Sequence, residues 1–116
     1  MSSFIEKITS GNKTVYNITL TRGDYFAVYV NMQKGGEAYT PPLDGTLRFA
    51  LKKKYTDSDV LILKDIPLDT GLLELQGSDT KQLAFGKYEW DIEYTDAQGH
   101  PDTILEGTFK LDKEVY

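Results

Sequence analysis

The stretch KYEWDIEY, Lys87 to Tyr94, alternates without a break. Tyr88, Trp90, Ile92 and Tyr94 are bulky and largely apolar, while Lys87, Glu89, Asp91 and Glu93 between them are charged. A period of two marks a strand with one face in a core and one in water, because successive side chains leave a pleated backbone on opposite sides. Wound into a helix, the same four large residues would scatter around the circumference. A single strand of this kind is not stable alone, so its inner face requires others.

The rest of the chain supplies them. In TVYNITLT, Tyr16, Ile18 and Leu20 alternate with Val15, Asn17, Thr19 and Thr21. In YFAVYVNM, Phe26, Val28, Val30 and Met32 share one face, leaving Tyr25, Ala27, Tyr29 and Asn31 on the other. TLRFALK sets Leu47, Phe49 and Leu51 inward, and LEGTFKL does the same with Leu105, Gly107, Phe109 and Leu111. VLILKDI (Val60 to Ile66) and GLLELQ (Gly71 to Gln76) are strand-like, but neither shows which face is inner. Glycine, proline and Asx residues in RGD, KGGE, TPPLDG, YTDSD and DAQGHPD provide turns between them. About seven strands separated by such turns describe an all-β protein, an antiparallel sandwich or barrel.

One segment departs from the pattern. In SDTKQLAFG, Ser78 or Asp79 is suited to cap a helix, with Gln82 three residues after Asp79. One short helical turn is predicted near 78–84, with Leu83 plugging the core and Gly86 ending the turn. The chain has 116 residues, the size of a single domain, 1–116, in which about two-thirds of the unfolded surface can be buried. Residues 1–12 read as a flexible or loosely attached N-terminal segment. MSSFIEKITSGN carries Glu6 and no apolar run of secretory length, and FAVYV and VLIL are far too short to span a membrane. With no cysteine present, synthesis in a reducing cytoplasm is expected.

Several functions are excluded by chemistry. The net charge of −5 opposes a nucleic-acid module, which draws its affinity from a basic stripe. Lys52, Lys53 and Lys54 form one basic cluster, read as the solvated end of a strand. His100 is the only histidine and sits in a turn before Pro101. The serines lie at the terminus or in turns, away from any nucleophile elbow. Asp57 and Asp59, with Asp44 or Asp69, lack the glycine and distal glutamate of a calcium loop. Glu89, Asp91 and Glu93 share one solvated strand face, where pairing with Arg48, Lys52 or Lys110 is expected rather than acid–base catalysis. Neither an enzyme nor a cofactor or metal site is predicted.

What stands out is tyrosine. Tyr25 and Tyr29 project from the face opposite Phe26 and Val28, and Tyr39 lies in the EAYTPP loop. Tyrosine joins a large apolar body to a polar tip, which suits protein interfaces and sugar stacking. These three residues are the candidate interaction surface. The Arg22-Gly23-Asp24 tripeptide is a different matter. It is expected by chance in about 2% of chains this long, at ordinary usage, and it falls where one strand ends and the next begins. It reads as a turn, with Gly23 supplying positive φ.

The ordered series YNITLTRGDYFAVYV, LDGTLRFALKKKYTDSDVLILKDI and LAFGKYEWDIEYTDAQGHPDTILEGTFKLDKEV resembles small immunoglobulin-like sandwich proteins of tailed bacteriophages and prophages. It is similar to the N-terminal domain of phage baseplate upper proteins. The likeness spans roughly residues 15–114, and Phe85 stands where that pattern usually has proline. It implies an immunoglobulin-like β-sandwich and a virion structural or adaptor role in a tail or baseplate. Such a role works through contacts with itself or another phage structural protein, without nucleic acid, membrane or catalysis. A carbohydrate-binding module, with Tyr25, Tyr29 and Tyr39 as a stacking platform, is the rival expectation.

Overall fold

The computed structural model describes residues 3–10, 13–34, 37–38 and 40–113. Along them run β1 (Ser3–Ser10), β2 (Lys13–Thr21), β3 (Phe26–Tyr29), β4 (Gln33–Lys34), β5 (Glu37–Ala38), β6 (Thr46–Lys52), β7 (Ile62–Ile66), β8 (Leu72–Leu75), α1 (Gly77–Thr80), β9 (Gly86–Thr95) and β10 (Pro101–Asp112). The protein is all-β apart from α1. All seven predicted strands are present, as β2, β3 and β6 to β10. Residues 3–10, within the segment expected to be loosely attached, form β1, paired with β2 from Ser3↔Leu20 to Ser10↔Lys13. β4 and β5 pair with each other within the stretch read as a turn around KGGE.

Six strands make a curled sheet in the order β1-β2-β10-β9-β6-β7, and β3 and β8 make a separate pair. The expectation of a purely antiparallel arrangement is corrected at one place. β2 and β10 run parallel, from Gly107↔Tyr16 to Asp112↔Thr21. Everything between them returns the chain to its starting side, so the last strand arrives pointing the way the second one did. Alternation identifies the buried face of each strand but carries no information about which strand lies beside it.

The inner faces meet in a single core. Ile18 and Leu20 of β2, Leu47, Phe49 and Leu51 of β6, Tyr88, Trp90 and Ile92 of β9, and Phe109 and Leu111 of β10 are all buried. Phe26 of β3 and Leu73 and Leu75 of β8 join the same cluster from the second pair. The two strands whose faces were unreadable now divide cleanly: Ile62 and Ile66 of β7 point inward, as do Leu73 and Leu75 of β8. Leu83 does reach the core.

The helical turn begins earlier than its composition suggested. α1 starts after Gln76, whose backbone N–H donates to the Asp79 carboxylate at 2.7 Å. Asp79 therefore closes the cap from within the helix instead of opening it. Gln82 donates to the Asp79 carbonyl at 3.2 Å. Thr80 is fully buried, and its hydroxyl accepts the Gly23 N–H at 2.8 Å.

That bond docks the Arg22–Asp24 turn on α1. Asp24 N–H donates to the Thr21 carbonyl at 3.0 Å, and Gly23 has φ +88°, the sign a type II turn demands at its third position. The Arg22 guanidinium lies 4.2 Å from the centre of the Phe85 ring and donates to the Leu83 carbonyl at 3.2 Å. The cation of the tripeptide is thus engaged by its own chain, tying the β2–β3 corner to the segment that follows α1.

Candidate functional site

β3 is short, and its register with β8 decides what faces solvent. Phe26 pairs with Leu75, Ala27 with Glu74, Val28 with Leu73 and Tyr29 with Leu72. Because Phe26 and Val28 turn to the core, Tyr25, Ala27 and Tyr29 are left outside, with Tyr25 55% and Tyr29 64% exposed. Four residues of extended backbone set the two attachment points about 13 Å apart along the chain. The side chains flank Ala27 and Glu74 as the ends of a strip. The Tyr25 hydroxyl donates to Glu74 Oε2 at 2.5 Å. That hydrogen bond, and after it burial, raises the Tyr25 phenol above its usual range. Tyr25 is therefore held in place across the strand pair as a neutral phenol. Tyr39, the third member of the predicted surface, lies outside the described residues.

Two open clefts of about 410 Å³ each lie at one end of the protein and meet at Leu47, Leu68 and Asp69. Their floor is apolar, from Val30, Met32, Leu47, Ile66 and Leu68, with Asp65 and Asp69 at the rim. Periodicity carries no sign of them, because their residues come from three separate segments, 30–32, 40–47 and 65–71.

The carboxylates are distributed differently from the expectation. Arg48 faces Glu93 in register, yet its ion pair is with Asp65 on the opposite neighbour, at 2.7 Å. Lys110 pairs along its own strand with Asp112, at 3.6 Å. Glu89 instead accepts the Tyr55 N–H at 2.7 Å. Burial, with Glu93 adding to it, raises Asp91 against the pull of Lys52. Asp57 accepts the Lys54 N–H at 3.2 Å, and Lys53 donates to the Lys87 carbonyl at 2.8 Å. Among the described residues no group of three or more His, Cys, Asp or Glu is placed to hold a metal ion.

Tyr55 is the residue that sequence reasoning missed. Its hydroxyl lies 2.9 Å from the Gly107 carbonyl and 3.2 Å from that of Trp90, so one phenol spans β9 and β10. Burial, with Glu106 and Glu89 adding to it, pushes the hydroxyl up to about 12. The only signal was a tyrosine inside the turn-rich stretch YTDSD.

His100 is exposed and serves a turn. Asp96 Oδ1 accepts the Gln98 and His100 N–H groups at 3.0 and 2.9 Å, while Oδ2 lies 3.2 Å from His100 Nδ1. The His100 backbone bond, foremost among these contacts, holds the Asp96 carboxyl below its ordinary 3.8. A carboxylate depressed on folding stabilises above its unfolded pKa and loses that contribution as pH falls through the folded value. Asp96→Asn should therefore flatten the acid limb of stability, read by urea unfolding at neutral pH and near pH 3. An unchanged acid limb would remove Asp96 from the turn's support.

Comparison with known proteins finds no matching family, and no curated protein or solved structure of significant similarity. Among the described residues no helix is long and apolar enough to cross a membrane.

Proposed function

We propose that this chain is a non-catalytic structural or adaptor module that works through protein–protein contact, of the kind that tailed phages and prophages use in a tail or baseplate. The observation that carries the contact reading is the Tyr25–Tyr29 strip. Large aromatic side chains fixed on a solvent-facing strand are the usual energetic anchors of interfaces. Tyr25, pinned by Glu74, loses little side-chain freedom on binding, which favours affinity. The phage assignment rests on the ordered series of motifs from Val15 to Glu114. On this reading the curled sheet and the β3–β8 pair are the two layers of an immunoglobulin-like sandwich, and the protein ends up in the virion.

The test is co-expression with the structural proteins encoded beside it, followed by size-exclusion chromatography with light scattering. A defined complex is expected, weakened at least about tenfold by Tyr29→Ala, with melting unchanged because Tyr29 is exposed. Binding to a glycan array, abolished by the same substitution, would transfer the site to the carbohydrate rival. A chain that binds neither class of ligand overturns both.

A further inference from the structure

We infer that copies of this chain join head to tail, with Phe85 of one copy seated in the paired clefts of the next. The two surfaces lie at opposite ends of the sheet. Gly45, Thr46 and Leu47 line the clefts where β6 begins, and Lys53 follows directly where it ends. β9 runs back the other way, pairing Lys52↔Glu89 at one end and Thr46↔Thr95 at the other. Phe85, just ahead of β9, therefore stands at the Lys53 end. The length of β6 puts about 20 Å between the two surfaces, so one copy cannot bring its own Phe85 to its own cleft.

Charge and shape at the two ends are complementary, which is what selects a second copy as the occupant. At the cleft, Leu43 is 64% exposed on the lip, and Val30, Met32 and Leu68 of the floor are only partly buried. The lining holds Asp65 and Asp69 and no lysine or arginine, and Asp44 follows Leu43 in the same loop. Asp65 is paired with Arg48, so Asp44 and Asp69 supply the attraction. At the other end Phe85 is 41% exposed, beneath the Arg22 guanidinium. Lys53 lies beside Gly86, donates to the Lys87 carbonyl and stands 4.6 Å from the centre of the Tyr88 ring. Both contacts fix its ammonium without cancelling the charge. Lys87 is exposed two residues after Phe85, and among the described residues no carboxylate pairs with it or with Lys53. Asp79 and Asp112 are already taken by Lys64 and Lys110. Other exposed apolar side chains lack this setting. Tyr25 is bonded to Glu74, Tyr55 is tied by its hydroxyl to β9 and β10, and the lysine beside Leu63 is the one paired with Asp79. An aromatic ring flanked by cations matches an apolar cleft rimmed by carboxylates. Contact between two different surfaces is heterologous, so each added copy leaves one of each kind open and growth continues into a ring or a chain. Neither surface includes Tyr25 or Tyr29, so the assembly stands apart from the contact proposed above.

Sedimentation velocity of the full chain should show species larger than a dimer, which grow with concentration and shrink as salt is raised. Phe85→Ser and Asp69→Lys should each weaken association at least about tenfold. Lys87→Glu, which leaves the Arg22–Phe85 contact in place, should act in the same direction, so the loss cannot be laid to a disturbed corner. The deciding measurement mixes the first two variants. A Phe85→Ser copy keeps a good cleft and an Asp69→Lys copy keeps a good Phe85, so together they should form a one-to-one heterodimer that grows no further. A parent chain that stays monomeric at high concentration, a mixture that stays monomeric, or association unaffected by Phe85→Ser overturns the proposal. Association lost with Tyr29→Ala but kept with Phe85→Ser would do so while leaving the tyrosine strip as the contact.

Discussion

Trp90→Ala is expected to lower the stability of the fold by about 3–5 kcal/mol. The indole is 4% exposed and stands at the centre of the inner face of β9. Its ring lies 5.7 Å from that of Phe49 on β6, tilted by 32°. Its Nε1–H donates to the Thr108 carbonyl on β10 at 2.9 Å. Truncation therefore leaves a cavity against β6 and removes the donor from β10 in one step, so the sheet loses support on both sides of β9. Trp90→Phe separates the two contributions, since it keeps most of the apolar contact and loses only the donor; a smaller cost of about 1–3 kcal/mol is expected. Urea unfolding with intrinsic tyrosine emission or circular dichroism measures both. If Trp90→Ala unfolds at the denaturant concentration of the parent chain, the inner face of β9 has been assigned to the wrong residues.

How far that face could be read from sequence depended on contrast between neighbouring residues. Tyr88, Trp90 and Ile92 alternate with charges, so their burial followed from period alone, as it did for Leu47, Phe49 and Leu51. β7 resisted because Val60 to Leu63 is apolar at every position, and only the sheet edge determines that Leu63 stays outside while Ile62 goes in. Lys52 does act on Asp91 from the adjacent strand, but the Arg48 pair was misassigned for a related reason. Arg48 has a neighbour on each side, and periodicity does not say whether Glu93 or Asp65 will reach it. Tyr25 was recognisably exposed, but its bond to Glu74 joins residues 49 positions apart and needed the β3–β8 register. The cap of α1 was readable as a cap, with Ser78 or Asp79 expected to open it where Gln76 does, and Asp79 standing three residues inside it. Short Asx-type residues serve at either position, and only the path of the chain out of β8 decides between them.

Gly107→Ala should be nearly as damaging as the loss of Trp90, for the opposite reason. Gly107 is buried where β10 passes between β2 and β9, opposite Tyr16 on one side and Trp90 on the other. A β-carbon there would stand 1.7 Å from the Tyr16 carbonyl oxygen and 3.0 Å from Trp90 Cε2. The first of these atoms is backbone in a paired strand and cannot swing aside, so the methyl group must push β2 and β10 apart. A cost of about 3 kcal/mol, at the upper end of overpacking, is expected. Gly99→Ala is the matched comparison. Its φ is +86° but nothing lies within 4 Å of the added carbon, so only the conformational cost of about 1 kcal/mol applies. Hydrogen exchange distinguishes the mechanism, because Gly107→Ala should strip protection from β2 and β10 before β6 and β9. Equal melting of the two glycine variants would mean that β2 does not lie against β10 in this register. The parallel pairing that joins the first half of the chain to its last strand would then have to be redrawn.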